Sequence, residues 1–238
     1  MSPAAAQSFD VSAIAFDLDG TLLDTIADLA GAVNALLAER GHAPLEEDAV
    51  RALVGKGMAN LVRRALALAT ARTSESLDDA TIAAALARYQ VLYAAQLGRA
   101  TQPFPGLVEC LDRLRAAGFP LAIITNKATR FVRPHLALAG IGDRFDVIVG
   151  GDDLPSRKPD PGPLLHVAAA LRIAPARLLM VGDSANDVLA ARAAGCPVVV
   201  VPHGYREGRP VQELNADGIV ASLAAVPDCV RLFAPELT

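Results

Sequence analysis

Apolar residues along this chain fall into two alternating patterns. Short continuous runs occur at Ala13–Phe16, Leu121–Thr125, Val147–Gly150, Leu178–Val181 and Val198–Val201. Each has the length of a strand buried on both faces. Before and between the last four lie stretches whose apolar residues recur three and four positions apart. Leu107, Cys110, Leu111 and Leu114 precede Gly118, and Phe131 to Ala139 precede Gly140. Leu164, Leu165 and Ala168 to Leu171 form a third helical stretch, and Val188 to Ala194, before Gly195, a fourth. A glycine after the last apolar residue is a common helix stop, because it accepts the left-handed conformation needed there. Alternating strands and helices predict βαβ units, a parallel sheet and an α/β fold. Right-handed crossovers then bring the carboxyl ends of all five strands to one edge.

The chain between the first and second runs breaks this rhythm. From about Leu23 to Leu97 no stretch reads as a strand. Ile26, Leu29, Ala30, Val33, Leu36 and Leu37 have helical spacing that ends near Gly41. Leu61, Ala65 and Leu68, and then Ile82, Leu86, Tyr89 and Tyr93, predict further helices. This is a helical insertion about the size of a small domain. Pro103, Pro105 and Gly106 read as the hinge that returns the chain to the sheet. The expected division is residues 1–22 and 101–238 for the sheet core and 23–100 for the insertion.

Composition narrows the classes of function. Hydrophobic residues make up 53% of 238 positions, enough for a substantial core and too many for a disordered chain. The net charge of −4 carries no basic footprint, so a nucleic-acid partner is not expected. Met1–Asp10 lacks the apolar run of a signal peptide, and no stretch is apolar for long enough to span a membrane. The expectation is a cytoplasmic protein with no membrane partner, acting as a monomer or homodimer. Cys110, Cys196 and Cys229 fit neither a disulfide framework nor a zinc site and read as core fillers in a reducing compartment. The four histidines are scattered. Each reads as ordinary, with His203 alone near a candidate site.

The candidate chemistry gathers at the strand ends. Asp17-Leu18-Asp19-Gly20-Thr21-Leu22 follows the first run and places two carboxylates at one tip. They would repel unless a cation or a shared proton intervenes. That suggests a metal site, a nucleophile with an acid/base partner, or both; the alternative is a capped turn. The second strand leads into Thr125-Asn126-Lys127, where a hydroxyl and a backbone amide could bind a phosphoryl oxygen or cap a helix. After the third comes Ser156-Arg157-Lys158-Pro159-Asp160-Pro161. Prolines restrict that backbone, so Lys158 could be held to offset negative charge at the first strand rather than left in solvent. The fourth ends in Gly182-Asp183-Ser184-Ala185-Asn186-Asp187. Asp183 occupies the tip, whereas Asp187 would be favourable at a helix N-terminus in any case. Hard oxygen ligands from the first and fourth tips suit Mg²⁺ better than Ca²⁺ or Zn²⁺.

Asp17-Leu18-Asp19-Gly20-Thr21, Thr125, Lys158-Pro159 and Gly182-Asp183 with Asp187 resemble, in order and setting, the motifs of the haloacid dehalogenase superfamily. The resemblance covers nearly the whole chain. It implies a Rossmann-like parallel-sheet core whose helical insertion is a mobile cap. It also implies that Asp17 is the nucleophile, forming an aspartyl-phosphate. Asp19 would protonate the leaving alkoxide and then activate water. Thr125 and Lys158 would hold the phosphoryl oxygens. Mg²⁺ would be bound by Asp17, the Asp19 main-chain oxygen and Asp183, with Asp187 in support. The acid at position 19 disfavours the dehalogenating branch.

Val54-Gly55-Lys56-Gly57, Ile124-Thr125-Asn126-Lys127, His203-Gly204-Tyr205-Arg206-Glu207-Gly208 and Ala216-Asp217-Gly218-Ile219-Val220 look most like the phosphoglycolate phosphatases. That subfamily hydrolyses 2-phosphoglycolate to glycolate and phosphate. The implied substrate-binding residues are Thr125, Asn126 and Lys158. Lys56 is the first candidate for the substrate carboxylate, with Arg63 and Arg64 behind it; Gly55-Lys56-Gly57 could instead be a flexible turn. Other readings within the superfamily are a sugar-phosphate or nucleotide phosphatase, a pyrophosphatase or a phosphosugar mutase. From another class come a phosphoacceptor signalling domain and a non-enzymatic binding protein.

Overall fold

In chain order the strands are β1 (Phe9–Val11), β2 (Ala13–Phe16), β3 (Leu23–Asp24), β4 (Gln102–Pro103), β5 (Leu121–Ile124), β6 (Val147–Val149), β7 (Leu178–Gly182), β8 (Val198–Val200), β9 (Gly218–Ile219) and β10 (Val230–Leu232). The α-helices are α1 (Ile26–Glu39), α2 (Glu47–Arg51), α3 (Met58–Ala69), α4 (Asp79–Gln96), α5 (Leu107–Ala116), α6 (Thr129–Leu138), α7 (Gly162–Ala170) and α8 (Ala185–Ala194). These come from a computed structural model that describes residues 8–206 and 208–233. Residues 1–7 of the Met1–Asp10 reading and Glu207 of the tail motif lie outside the described residues.

The central sheet is parallel throughout, in the order β6-β5-β2-β7-β8-β9. All five expected strands are present, each within one residue of its apolar run. β2 shows why its run is continuous. Ile14 and Phe16 join a cluster with Leu111 and Leu114 of α5 on one face. Ala13 and Ala15 join Leu164 and Val167 of α7 and Ala190 of α8 on the other. Successive side chains of a strand point to opposite faces, so both must be apolar when helices cover both. The four expected core helices are α5 to α8. Gly195 closes α8 in the left-handed conformation, with φ 74°.

The sixth strand, β9, was not expected. It has two residues and an exposed Ile219, too short to display a period. The expectation of no strand after Leu22 also needs correction. β3 pairs antiparallel with β4, Leu23 opposite Pro103 and Asp24 opposite Gln102. The two chain crossings therefore run side by side as a short ribbon just where the hinge was expected. β1 and β10 form a further parallel pair.

Helices α1, α3 and α4 share an apolar cluster that extends to Phe131 and Tyr205 from outside the insertion. Tyr89 and Tyr93 of α4 stack with centroids 5.9 Å apart, and Tyr93 meets Phe131 edge-on at 5.1 Å. The three cysteines are free and buried. No helix among the described residues is long and apolar enough to cross a membrane.

Candidate active site

The parallel sheet brings the tips of β2, β5 and β7 together, and each delivers its acid or hydroxyl from the next one or two residues. Asp17 leaves β2 with its N–H donating to Val181 O at 3.0 Å. Its Oδ1 accepts the Leu18 N–H at 2.7 Å and pairs with Lys158 Nζ at 3.0 Å. Lys158 is 3% exposed and also donates to Asp187 Oδ1 at 2.6 Å and to Ile124 O at 2.7 Å. All three ammonium donors are thus used, and the lysine is held rather than solvated.

Asp183 follows β7. Its Oδ1 accepts the Thr21 hydroxyl at 2.6 Å and its Oδ2 accepts the Tyr205 N–H at 2.6 Å. Asp187 caps α8, as its place near the helix N-terminus suggested, and also holds Lys158. Its Oδ2 accepts from Ser184 N and Ser184 Oγ at 3.0 and 2.8 Å, closing the start of α8, while its Oδ1 holds Lys158. Glycines give these acids their room. A Cβ on Gly204 would lie 2.1 Å from Asp183 Cβ, and one on Gly182 would lie 2.3 Å from Asp187 Cγ.

Asp17, Asp183 and Asp187 each offer a carboxylate oxygen, and those oxygens lie within 4.8 Å of one another. Burial pushes the Asp17 carboxyl up to about 6, against the pull of Lys158 and with a further push from Asp187. Burial also raises Asp183 well above the usual carboxylate range, with Asp187 and Asp17 adding to it. Burial alone would lower the Lys158 ammonium, but Asp17 and Asp187 outweigh it and the net shift is upward. One ammonium among three buried acids leaves a deficit of positive charge. Hard oxygen donors with that deficit fit a divalent cation such as Mg²⁺. The Asp19 carboxylate is not in this group, and its expected contribution is a main-chain oxygen.

Asp19 has a different environment from Asp17. Both of its oxygens face Lys127 Nζ, at 3.0 and 3.1 Å. Burial pushes the Asp19 carboxyl up, but the Lys127 charge and hydrogen bonds, helped by His135 and Thr25, prevail and hold it below its ordinary value. Lys127 in turn donates to the Tyr93 hydroxyl of α4 at 2.5 Å. Thr125 Oγ1 accepts the Lys127 N–H at 3.2 Å. Asn126 Nδ2 donates to Lys158 O at 2.8 Å and to Gly55 O at 2.9 Å, tying the strand tip to the loop before α3. Its buried Oδ1 has no hydrogen-bond partner among the described residues.

A cavity of about 50 Å³ lies over these groups. Asp17, Asp19, Thr125, Asn126, Lys127 and Asp183 line its floor, and Leu29, Val54, Met58 and Leu61 of the insertion also line it. Lys56 is not among the lining residues. It is exposed and lies along an adjoining cleft of about 840 Å³ with Arg157, Asn186, Arg206 and Arg209. The two other basic candidates brace loops within the insertion. Arg63 donates to Ser74 O and Leu77 O at 3.1 and 2.8 Å and pairs with Asp79 at 2.5 Å. Arg64 donates to Ala52 O at 3.0 Å and Leu53 O at 3.3 Å.

The histidine reading is corrected in part. His203 does lie at the site's edge, 3.1 Å from Thr21 O and tilted against Phe104. His135, however, is fully buried behind Lys127 and Asp19 and belongs to the same electrostatic neighbourhood. Sequence reasoning also gave no role to Lys127, Tyr93 or Tyr205. Lys127 had a local signal, since it follows the Thr125-Asn126 tip directly. Tyr205 had none. Its hydroxyl accepts the Thr25 N–H at 2.8 Å and donates to Asp24 Oδ1 at 2.7 Å, across 180 residues of chain.

Similarity to known proteins extends over most of the chain. A phosphoglycolate phosphatase of Thiobacillus denitrificans is 46% identical over 214 residues, covering 90% of this chain and 93% of its own. One from Nitrosospira multiformis is 47% identical over 213 residues, 90% and 92% of the two chains. Among solved structures, a predicted phosphoglycolate phosphatase from Haemophilus somnus superposes with a TM-score of 0.87 at 32% identity, covering 92% of this chain and 97% of that one. The family model for haloacid dehalogenase-like hydrolases matches residues 11–195, which span every strand tip just described. With that match over most of its length and its acids at those tips, this chain belongs to the haloacid dehalogenase-like hydrolases.

Proposed function

We propose that this hydrolase cleaves 2-phosphoglycolate to glycolate and phosphate through an aspartyl-phosphate on Asp17. The observation that carries the reading is the contrast between two acids lining one small cavity. Asp17 is held by Lys158 within the acidic triad, whereas Asp19 faces Lys127 outside it. One carboxylate within the acidic triad and one against a lysine ammonium outside it are placed for different work. The names of the two relatives support the substrate.

Asp17 attacks phosphorus, with Lys158 keeping its carboxylate oriented. Lys127 holds Asp19 ionised in the free site. The anionic substrate beside it favours the protonated form, which gives its proton to the departing alkoxide oxygen, and the resulting carboxylate takes one from the water that opens the aspartyl-phosphate. Thr125 Oγ1 and the backbone beside it hold phosphoryl oxygens, and Asn126 holds the strand tip against the insertion. Mg²⁺ would be held by Asp17, Asp183 and the Asp19 main-chain oxygen, with Asp187 in support, and supplies the charge that lets a carboxylate approach an anionic phosphate. The helical residues act as a cap that excludes water. The reading includes a cytoplasmic enzyme, a monomer or homodimer, and its buried free cysteines suit a reducing compartment.

Phosphate release with Mg²⁺ across 2-phosphoglycolate, sugar phosphates, a nucleoside monophosphate and pyrophosphate tests this reading. 2-Phosphoglycolate should lead in kcat/KM by tenfold or more, a margin of about 1.4 kcal/mol. Asp17→Asn should abolish turnover on every substrate. Flat activities would remove the substrate assignment, and clear residual turnover by Asp17→Asn would remove the nucleophile.

A further inference from the structure

Lys127 is the basic side chain that lines the cavity over Asp17 and Asp19. It is 5% exposed, its ammonium lies 3.0 and 3.1 Å from the two Asp19 oxygens, and Tyr93 holds it from above. We propose that Lys127, rather than Lys56, binds the substrate carboxylate and so selects short phosphoesters that carry one. The inference rests on the reading of Asp19 as the proton donor to the leaving oxygen.

The distances suit this role. A leaving oxygen that accepts from Asp19 sits about 2.7 Å from that carboxylate. Lys127 Nζ is one further hydrogen bond away, at 3.0 Å. In a phosphorylated 2-hydroxy acid, the carboxylate oxygens stand three covalent bonds from the leaving oxygen, roughly 3 Å in space. A substrate carboxylate turned toward Lys127 is therefore within reach of the ammonium. An ammonium has three donors. Two now meet the same carboxylate, so one can turn to the ligand while the other keeps Asp19 in place.

The rest of the cavity favours the same class of ligand. Leu29, Val54, Met58 and Leu61 present no hydrogen-bonding side-chain group to it. A sugar-phosphate hydroxyl turned toward that apolar wall, rather than toward Asn126, Ser184 or Tyr205, would be left unpaired, at a cost of about 1–3 kcal/mol. Tyr93 belongs to the insertion, so the ammonium is fully oriented only when α4 lies against α6 and the β5 tip.

The test compares kcat/KM for 2-phosphoglycolate with that for ethyl phosphate, which has the same leaving atom and no carboxylate. Lys127 also touches Asp19, so both rates should fall in Lys127→Met; their ratio isolates the carboxylate contact. We expect the ratio to fall about 30-fold, near 2 kcal/mol, the scale of a hydrogen bond to a charged group. Tyr93→Phe keeps the ammonium and removes its hydroxyl partner, and should lower the ratio about threefold or more. Equal losses on both esters in Lys127→Met overturn the proposal, as does an unchanged ratio in Tyr93→Phe. Loss of the ratio in Lys56→Ala with retention in Lys127→Met returns the role to Lys56. If wild-type enzyme does not prefer 2-phosphoglycolate to ethyl phosphate, the substrate reading itself fails and this assignment falls with it.

Discussion

Acid should destabilise this protein through His135 in a way that one substitution can isolate. His135 is fully buried on α6. The Thr101 hydroxyl gives its single proton to Asp28 Oδ2 at 2.6 Å. His135 Nε2, 2.8 Å from that hydroxyl oxygen, must therefore be the donor to it. Nδ1 is left as a bare lone pair with no partner among the described residues. An imidazolium would need a second acceptor there. Burial, and then the Lys127 ammonium, lower the imidazole from 6.5 to about 4; Asp19 and Asp28 pull the other way and are outweighed.

The unfolded imidazole takes its proton near 6.5, the folded one only near 4. In that window the unfolded state binds more protons, so stability is complete above about 6.5 and is lost as pH falls toward 4. The full gap is worth about 3 kcal/mol, of which about 2 kcal/mol is gone by pH 5. Urea unfolding of the wild type and of His135→Leu at pH 8 and pH 5 measures it. Carboxylates remote from His135 titrate alike in both proteins and cancel in the difference; Asp19 and Asp28, which interact with it, are counted with it. Wild type should lose about 2 kcal/mol more than the variant between the two pH values. A difference that stays constant across that range would refute the buried neutral imidazole.

Two further outcomes follow from the same geometry. Asp28, 1% exposed, accepts from Gly98 N, Ala100 N and Thr101 Oγ1 at 2.8, 2.8 and 2.6 Å, which ties the second chain crossing to the start of α1. Asp28→Asn turns an NH₂ group toward those donors and should cost about 2–3 kcal/mol, read as a lower urea midpoint at unchanged slope; a midpoint like that of the wild type would show that the clamp is unimportant. Gly204→Ala forces Asp183 aside, because the new Cβ would lie 2.1 Å from its own Cβ. It should lower kcat by about 100-fold with the far-ultraviolet dichroism retained, and near-normal turnover would mean that Asp183 has no strict position to keep.

Much of this protein is written locally. Five strands of the central sheet show as unbroken apolar runs because helices cover both faces, and period is a property of neighbouring residues. Asp17, Thr125, Lys158 and Asp183 were visible as candidates for the same reason. Each lies within a few residues of a strand end or on a proline-restricted turn, so its approximate address is set by adjacent chain. Glycine stops at Gly118, Gly140 and Gly195 marked the helix ends in the same local way.

Tertiary structure decided the rest. β3, β4 and β9 have two residues each, and only their partners define them. Lys56 and Lys127 look alike in sequence, one between glycines and the other beyond a strand tip. Contacts of α4 with Phe131 and Lys127, and of the loop before α3 with Asn126, leave Lys127 in the cavity and Lys56 along the outer cleft. Tyr205 reaches Thr25, and His135 meets Thr101 and, through it, Asp28, over separations that no local pattern encodes. The elements follow from the order of residues along the chain. The ionisation of Asp17, Asp19 and His135 follows from which charges burial brings beside them, and that is a property of the folded volume alone.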